Sequence, residues 1–113
     1  MPLKRMILQI GMGTDIRGND DTKAAVRAVR DALWHNTIRI APALGLPPEA
    51  MHVDITVGVP NPAAVDKAQV LAVLPYGIGS VSVVEGGLKI DNDAGTDATL
   101  IANAAVIVRL DVA

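Results

Sequence analysis

From Lys4 to Met12 the chain is dense in Ile, Leu and Met, with Gln9 the one polar interruption before the glycines. A run that is apolar at both odd and even positions predicts a central strand covered on both faces. Asn19 and Asp20 then supply helix N-caps, and Asp20 and Asp21 place negative charge where the helix dipole favours it. Beyond them Ala25, Val26, Val29, Ala32 and Leu33 recur at helical spacing and form one apolar stripe. Lys23, Arg27, Arg30 and Trp34 share a different face of the same helix. That face reads as solvated and basic, with Lys23 near enough to the glycines to reach a ligand and Trp34 as a subunit contact.

After this helix, Ile38 to Leu44 is apolar but broken by Pro42, which predicts irregular chain or a short helical turn. His52 to Pro60 alternates, with Val53, Ile55, Val57 and Val59 on one face and His52, Asp54, Thr56 and Gly58 on the other, as in a strand. Ala63 to Leu74 carries Val65, Gln69, Val70 and Val73 at helical spacing and predicts a second, shorter helix. Gly79 to Glu85 alternates again, and Gly86-Gly87 reads as a tight turn into Leu88-Lys89-Ile90, giving a hairpin. Asp91 to Thr99 reads as a polar loop, and from Ala102 the alternation of Val106, Val108 and Leu110 against Ala105, Ile107 and Arg109 marks a last strand. The order predicts an α+β domain spanning residues 1–113, a mixed sheet of four to five strands with two helices packed on one face. The other face, judged from His52, Asp54, Thr56, Ser80 and Ser82, is expected to be small and polar.

Length fits one core, with 113 residues, 50% of them hydrophobic, one Trp, one Tyr and no Phe. A core of aliphatic side chains in so small a domain leaves association with copies of itself as a natural way to bury more surface. A net charge of −2 with acids and bases interspersed gives no field for nucleic acid or an anionic membrane, so neither partner is expected. No run approaches a membrane span, and the interrupted apolar start reads as a first strand, not a signal peptide. The absence of cysteine removes thiolate chemistry and cysteine-ligated zinc and fits a cytoplasmic protein.

Candidate chemistry centres on Gly11 to Lys23, read as a glycine loop between strand and helix. Its glycine spacing and its aspartates argue against a phosphate cradle, since the acids repel phosphate. Asp20 and Asp21 as caps and Asp54 as a strand-surface residue leave no metal set, and His35 and His52 share no zinc spacing. Ser80 and Ser82 have no adjacent His, so no hydrolase triad is indicated. The candidate ligand-binding residues are therefore Gly11, Gly13, Thr14, Asp15, Lys23, Glu85 and Gly86, with no metal and no cofactor expected.

The segments 8–15, 22–32, 54–60, 74–77, 85–88 and 101–106, among them Leu8-Gln9-Ile10-Gly11-Met12-Gly13-Thr14-Asp15 and Glu85-Gly86-Gly87-Leu88, resemble a family of small uncharacterised bacterial proteins. More loosely, the unit is similar to one repeat of the ring-opening amidohydrolases, cyanuric acid hydrolase and barbiturase, in which three such units surround a pseudo-threefold axis. That resemblance implies a homotrimer assembled through the free sheet face, with a small-molecule site between subunits. It also departs from those enzymes: glycine stands where their nucleophilic serine is expected, and the strand-end lysine is absent between Asp54 and Pro60. The expectation is a homotrimer that binds a small polar or anionic metabolite at its interfaces, with an amidohydrolase-type enzyme acting on cyclic amides, or a purely structural trimer, as the rivals.

Overall fold

A computed structural model describes residues 3–35, 40–74 and 77–111. Five strands, β1 (Leu3–Asp15), β2 (His52–Val59), β3 (Ile78–Glu85), β4 (Leu88–Asp91) and β5 (Ala98–Asp111), form one mixed sheet. Three helices, α1 (Asp21–His35), α2 (Ile40–Ala43) and α3 (Lys67–Leu71), join them, with 3-10 turns at Pro48–Ala50 and Pro62–Ala64. The α+β class, the mixed sheet and the helices packed beside it agree with the sequence reading.

The strand order is β1-β5-β2-β3, so the last strand of the chain is the hub of the sheet. β5 runs antiparallel to β1 along one edge, and β2 and then β4 share its other edge. β2 and β3 are parallel, joined by the crossover that carries α3. Contrary to the expected central position, β1 lies at the edge of the sheet and only one of its faces is covered. Nor do β3 and β4 form the expected hairpin, since β4 pairs with β5. Gly86-Gly87 instead carries the chain past the end of β2, where the Gly86 N–H donates to the Val59 carbonyl at 2.9 Å. A Cβ on Gly86 would sit a tight 3.2 Å from Gly58 Cα, and one on Gly87 would collide with the Ile101 carbonyl oxygen, so a side chain is excluded at Gly87. The predicted second helix is also shorter, a 3-10 turn followed by the five residues of α3, whose N-cap Asp66 accepts the Ala68 N–H at 3.0 Å.

The core lies between the sheet and α1. Val53, Ile55, Val57 and Val59 of β2 and Leu100, Ala102, Ala104, Val106, Val108 and Leu110 of β5 are buried, as the alternation of each strand predicts. α1 buries Ala24, Ala25, Ala28, Val29 and Ala32. The row Ala24, Ala28, Ala32 lies against Gly11 and Gly13, which are strand residues of β1 and not part of a loop. A Cβ on Gly11 would lie 2.8 Å from Ala32 Cα, and one on Gly13 would lie 2.7 Å from the Arg27 carbonyl carbon. Alanine facing glycine brings helix and strand backbones together more closely than larger side chains permit.

The second face of the sheet has nothing packed on it among the described residues. Cross-strand registers place Leu8, Ile107, Asp54 and Ser80 in one row across it, Ile10, Ala105, Thr56 and Ser82 in the next, and Met12, Asn103, Gly58 and Val84 in a third. It is therefore more apolar than expected, because β1 adds Leu8, Ile10 and Met12 to the polar residues of β2 and β3. Ile10 is 68% exposed, Ile78 58% and Leu88 60%. The molecule is a slab of 57 × 23 × 18 Å with a radius of gyration of 15.4 Å, against about 13 Å for a compact chain of this length. The side chains of Trp34 and His35 lie outside the described residues, and with them the reading of Trp34 as a subunit contact.

Candidate functional site

The polar cluster at the β1–α1 junction is built from the end of β1 upward. Asp15 closes the strand with its side chain turned inward, 3% exposed. Its Oδ2 accepts the Asp20 N–H at 3.0 Å, and its Oδ1 faces Arg27 Nη1 at 3.6 Å. The same Arg27 nitrogen donates to the Thr14 carbonyl at 2.7 Å. Asp20 caps α1, its Oδ1 accepting the Lys23 N–H at 3.0 Å. Gly18 and Asn19 take positive φ in the turn, and the Gly18 N–H is shared by both oxygens of Asp97 at the start of β5.

The first turn of α1 is tied to the β2–α3 connection in the same way. Asp21 Oδ2 accepts the Asn61 N–H at 3.0 Å, while Thr22 Oγ1 donates to the Ala64 carbonyl at 3.2 Å and accepts the Asp66 N–H at 2.9 Å. Each of these oxygens answers a backbone group that would otherwise be buried without a partner. Among the described residues no buried side-chain nitrogen or oxygen lacks one. The junction is a satisfied structural knot. Replacing Asp15 with Ala removes the Asp20 contact and the anion beside Arg27; the expected cost is about 2 kcal/mol, read from urea unfolding, with Asp15→Asn costing less. A loss below about 0.5 kcal/mol in Asp15→Ala would show that the carboxylate does not hold the turn.

The expected ligand residues are thus distributed over three places. Gly11, Gly13 and Asp15 point toward α1, and the first two are covered by it. Thr14 lies on the open sheet face opposite Ile101. Glu85 ends β3 in register with the buried Val59, so it alternates away from the open face that carries Thr14, and Gly86 follows it past the end of β2. Lys23 is exposed on the side of α1 turned away from the sheet.

Two further groupings appear only in three dimensions. On the open face Arg109 pairs with Asp54, and Asp54 Oδ1 accepts the Ser80 hydroxyl at 2.9 Å, joining β5, β2 and β3. Each residue was legible as strand-surface polar, but the strand pairing that assembles them is non-local. Among the described residues there is no group of three His, Cys, Asp or Glu side chains arranged to hold a metal. The second grouping is a cleft of about 320 Å³ between α1 and α3, lined by Asp20, Lys23, Val26, Arg27, Arg30 and Gln69. A larger, open cleft of about 600 Å³ lies between the β1–α1 turn and the β4–β5 loop, lined chiefly by Ile16, Arg17, Ile90, Asp91, Asp97 and Thr99.

The described residues contain no helix long and apolar enough to cross a membrane. A comparison with curated proteins finds no match. Among solved structures the chain is similar to a FtsZ-like protein of unknown function from Nostoc punctiforme, 38% identical over 99% of each chain, with a TM-score of 0.89. Residues 5–108 match the model of the Lin0512 family, described as conserved hypothetical proteins. With that match running from the first strand through almost all of the last, the chain belongs to the Lin0512 family.

Proposed function

We propose that the chain works as an oligomer assembled through its open sheet face, a homotrimer by its likeness to one repeat of the ring-opening amidohydrolases, and that it binds a small polar or anionic metabolite where subunits meet. The observation that supports this most is the uncovered face itself. A soluble monomer seldom leaves Leu8, Ile10, Met12, Ile78, Val84 and Leu88 open on one side of a single sheet. Three copies that turn this side toward a shared axis would cover it in every subunit.

The interface would bring Thr14, Asn103 and the Gly86 crossing of each copy toward its neighbours, a set of hydroxyl, amide and backbone groups suited to a polar ligand, with Glu85 reaching it only around the end of the sheet. Gly11, Gly13 and Asp15 then act from behind, holding β1 on α1, and Lys23 enters such a site only from an adjacent subunit. The missing serine leaves binding better supported than amide hydrolysis. A cytoplasmic location accords with a chain free of cysteine.

Mass in solution tests the assembly, and the expected value is a multiple, about threefold, of the 11.7 kDa chain. A thermal-shift screen of cyclic imides, ureides and carboxylates tests the ligand, with stabilisation expected from at least one class. A monomeric mass at micromolar concentration sinks the interface reading, and a stable oligomer that responds to none of these compounds removes the ligand from it.

A further inference from the structure

We propose that the cleft between α1 and α3 is a separate binding site for a small phosphate-bearing anion, a phosphate monoester being the ligand class it fits. The cleft gathers Lys23, Arg27 and Arg30 from consecutive turns of α1. Side chains at this spacing are neighbours, with Cβ atoms about 6 Å apart, so the three cations converge on one small volume. Val26 supplies an apolar floor and Gln69 of α3 the facing wall.

Among the described residues the side chains of Lys23 and Arg30 have no hydrogen-bond or ion-pair partner. Arg27 uses Nη1 on the Thr14 carbonyl and Asp15, an anchorage that fixes the guanidinium at the cleft edge. Besides Asp15, which faces Arg27, two acids are near. Asp20 lines the cleft with its Oδ1 bound to the Lys23 N–H, and Asp66 is held by the Ala68 N–H and Gln69 Nε2. The three cations set against Asp20 and Asp15 leave about one positive charge at the cleft, which favours an anion over a neutral ligand. At about 320 Å³ the space is at the small end of ligand pockets, suited to a phosphate and a short attached group.

This site lies on the helix layer, away from the open sheet face, and does not depend on assembly through that face. Of the junction acids, Asp15 is turned inward and Asp21 accepts the Asn61 N–H, so Asp20 is the one that lines this cleft. Like-charged side chains at this spacing repel one another when the cleft is empty. A bound dianion relieves that repulsion, so ligand and protein stability are linked.

Calorimetric titration of the full chain at low salt with glycerol phosphate, inorganic phosphate and succinate tests the proposal. Saturable binding is expected for both phosphates, falling steeply with added salt. It should weaken as pH falls through about 6, where a phosphate takes up its second proton. Lys23→Ala with Arg30→Ala should weaken binding by about tenfold or more and leave the melting curve of the free protein unchanged or slightly raised. Lys89→Ala, on β4 and outside the cleft, should bind as the parent does. The proposal fails if neither phosphate binds saturably, if succinate binds as tightly as the phosphates, or if the double variant binds phosphate undiminished. Its failure leaves the mass in solution untouched, so it is separable from failure of the assembly reading.

Discussion

Gly13→Ala is expected to destabilise the fold by about 3 kcal/mol or more. Where alanine can adopt the native backbone without a clash, the same change is mildly stabilising, by about 0.4–1 kcal/mol, because the unfolded chain loses conformational freedom. Here the new Cβ would lie 2.7 Å from the Arg27 carbonyl carbon and closer still to the backbone of Ala24 and Ala28. Those atoms belong to the spine of α1, which cannot step aside as a flexible side chain would, so the whole helix must lift from β1. The steric term therefore exceeds the entropic one. Gly11→Ala meets Ala28 and Ala32 in the same way, and the double variant should not fold. Thermal unfolding measures this directly, with a drop in Tm of about 10 °C or more expected for either single variant. A Tm within about 2 °C of the parent would mean that α1 and β1 are not in backbone contact.

If the chain assembles through its open face as proposed, Ile10→Lys combined with Met12→Lys is expected to yield a folded monomer of 11.7 kDa. Both side chains stand on the open face of β1, 68% and 57% exposed in the single chain, so lysine there costs the isolated fold little. In an interface the same positions would bury charge on both sides of the contact. An unpaired buried ammonium costs several kcal/mol, and each subunit would carry two. Light scattering gives the mass and circular dichroism the fold. Retained fold with lost assembly supports the face as the interface. If the variant keeps the parent's mass, the subunits meet elsewhere, with the β1 edge as the next surface to examine. That edge is already blunted near its end, where Asp31 Oδ2 accepts the Met12 N–H at 2.9 Å and Arg27 holds the Thr14 carbonyl.

The two errors about β1 have one cause. Its residues are apolar on both faces, which reads as full burial, yet one set faces α1 and the other faces outward from an edge strand. Composition reports that a face wants cover but not whether the same chain supplies it. Gly11 and Gly13 read as a loop because glycine weakens an isolated strand; their place in β1 makes sense only once Ala24, Ala28 and Ala32 are known to lie against them. The Ala row was visible in the sequence as part of a helix, but the stripe read from periodicity favoured the larger Val26 and Leu33, which are only partly buried. Gly86-Gly87 carried the chemistry of a tight turn, and the close approach to Gly58 that uses it instead depends on a strand nearly thirty residues earlier in the chain.

Local information was sufficient for much of this protein. The alternation in β2, β3 and β5, the helical period and caps of α1, and the class of the fold all follow from neighbours a few residues apart, because burial of one face imposes its own period on each element. The order β1-β5-β2-β3, the hub position of β5, the exposed apolar face and the convergence of Lys23, Arg27 and Arg30 on a cleft closed by Gln69 were decided by tertiary structure. Those features depend on which faces meet across long separations in the chain, and the pattern along any single element is the same whichever partner covers it.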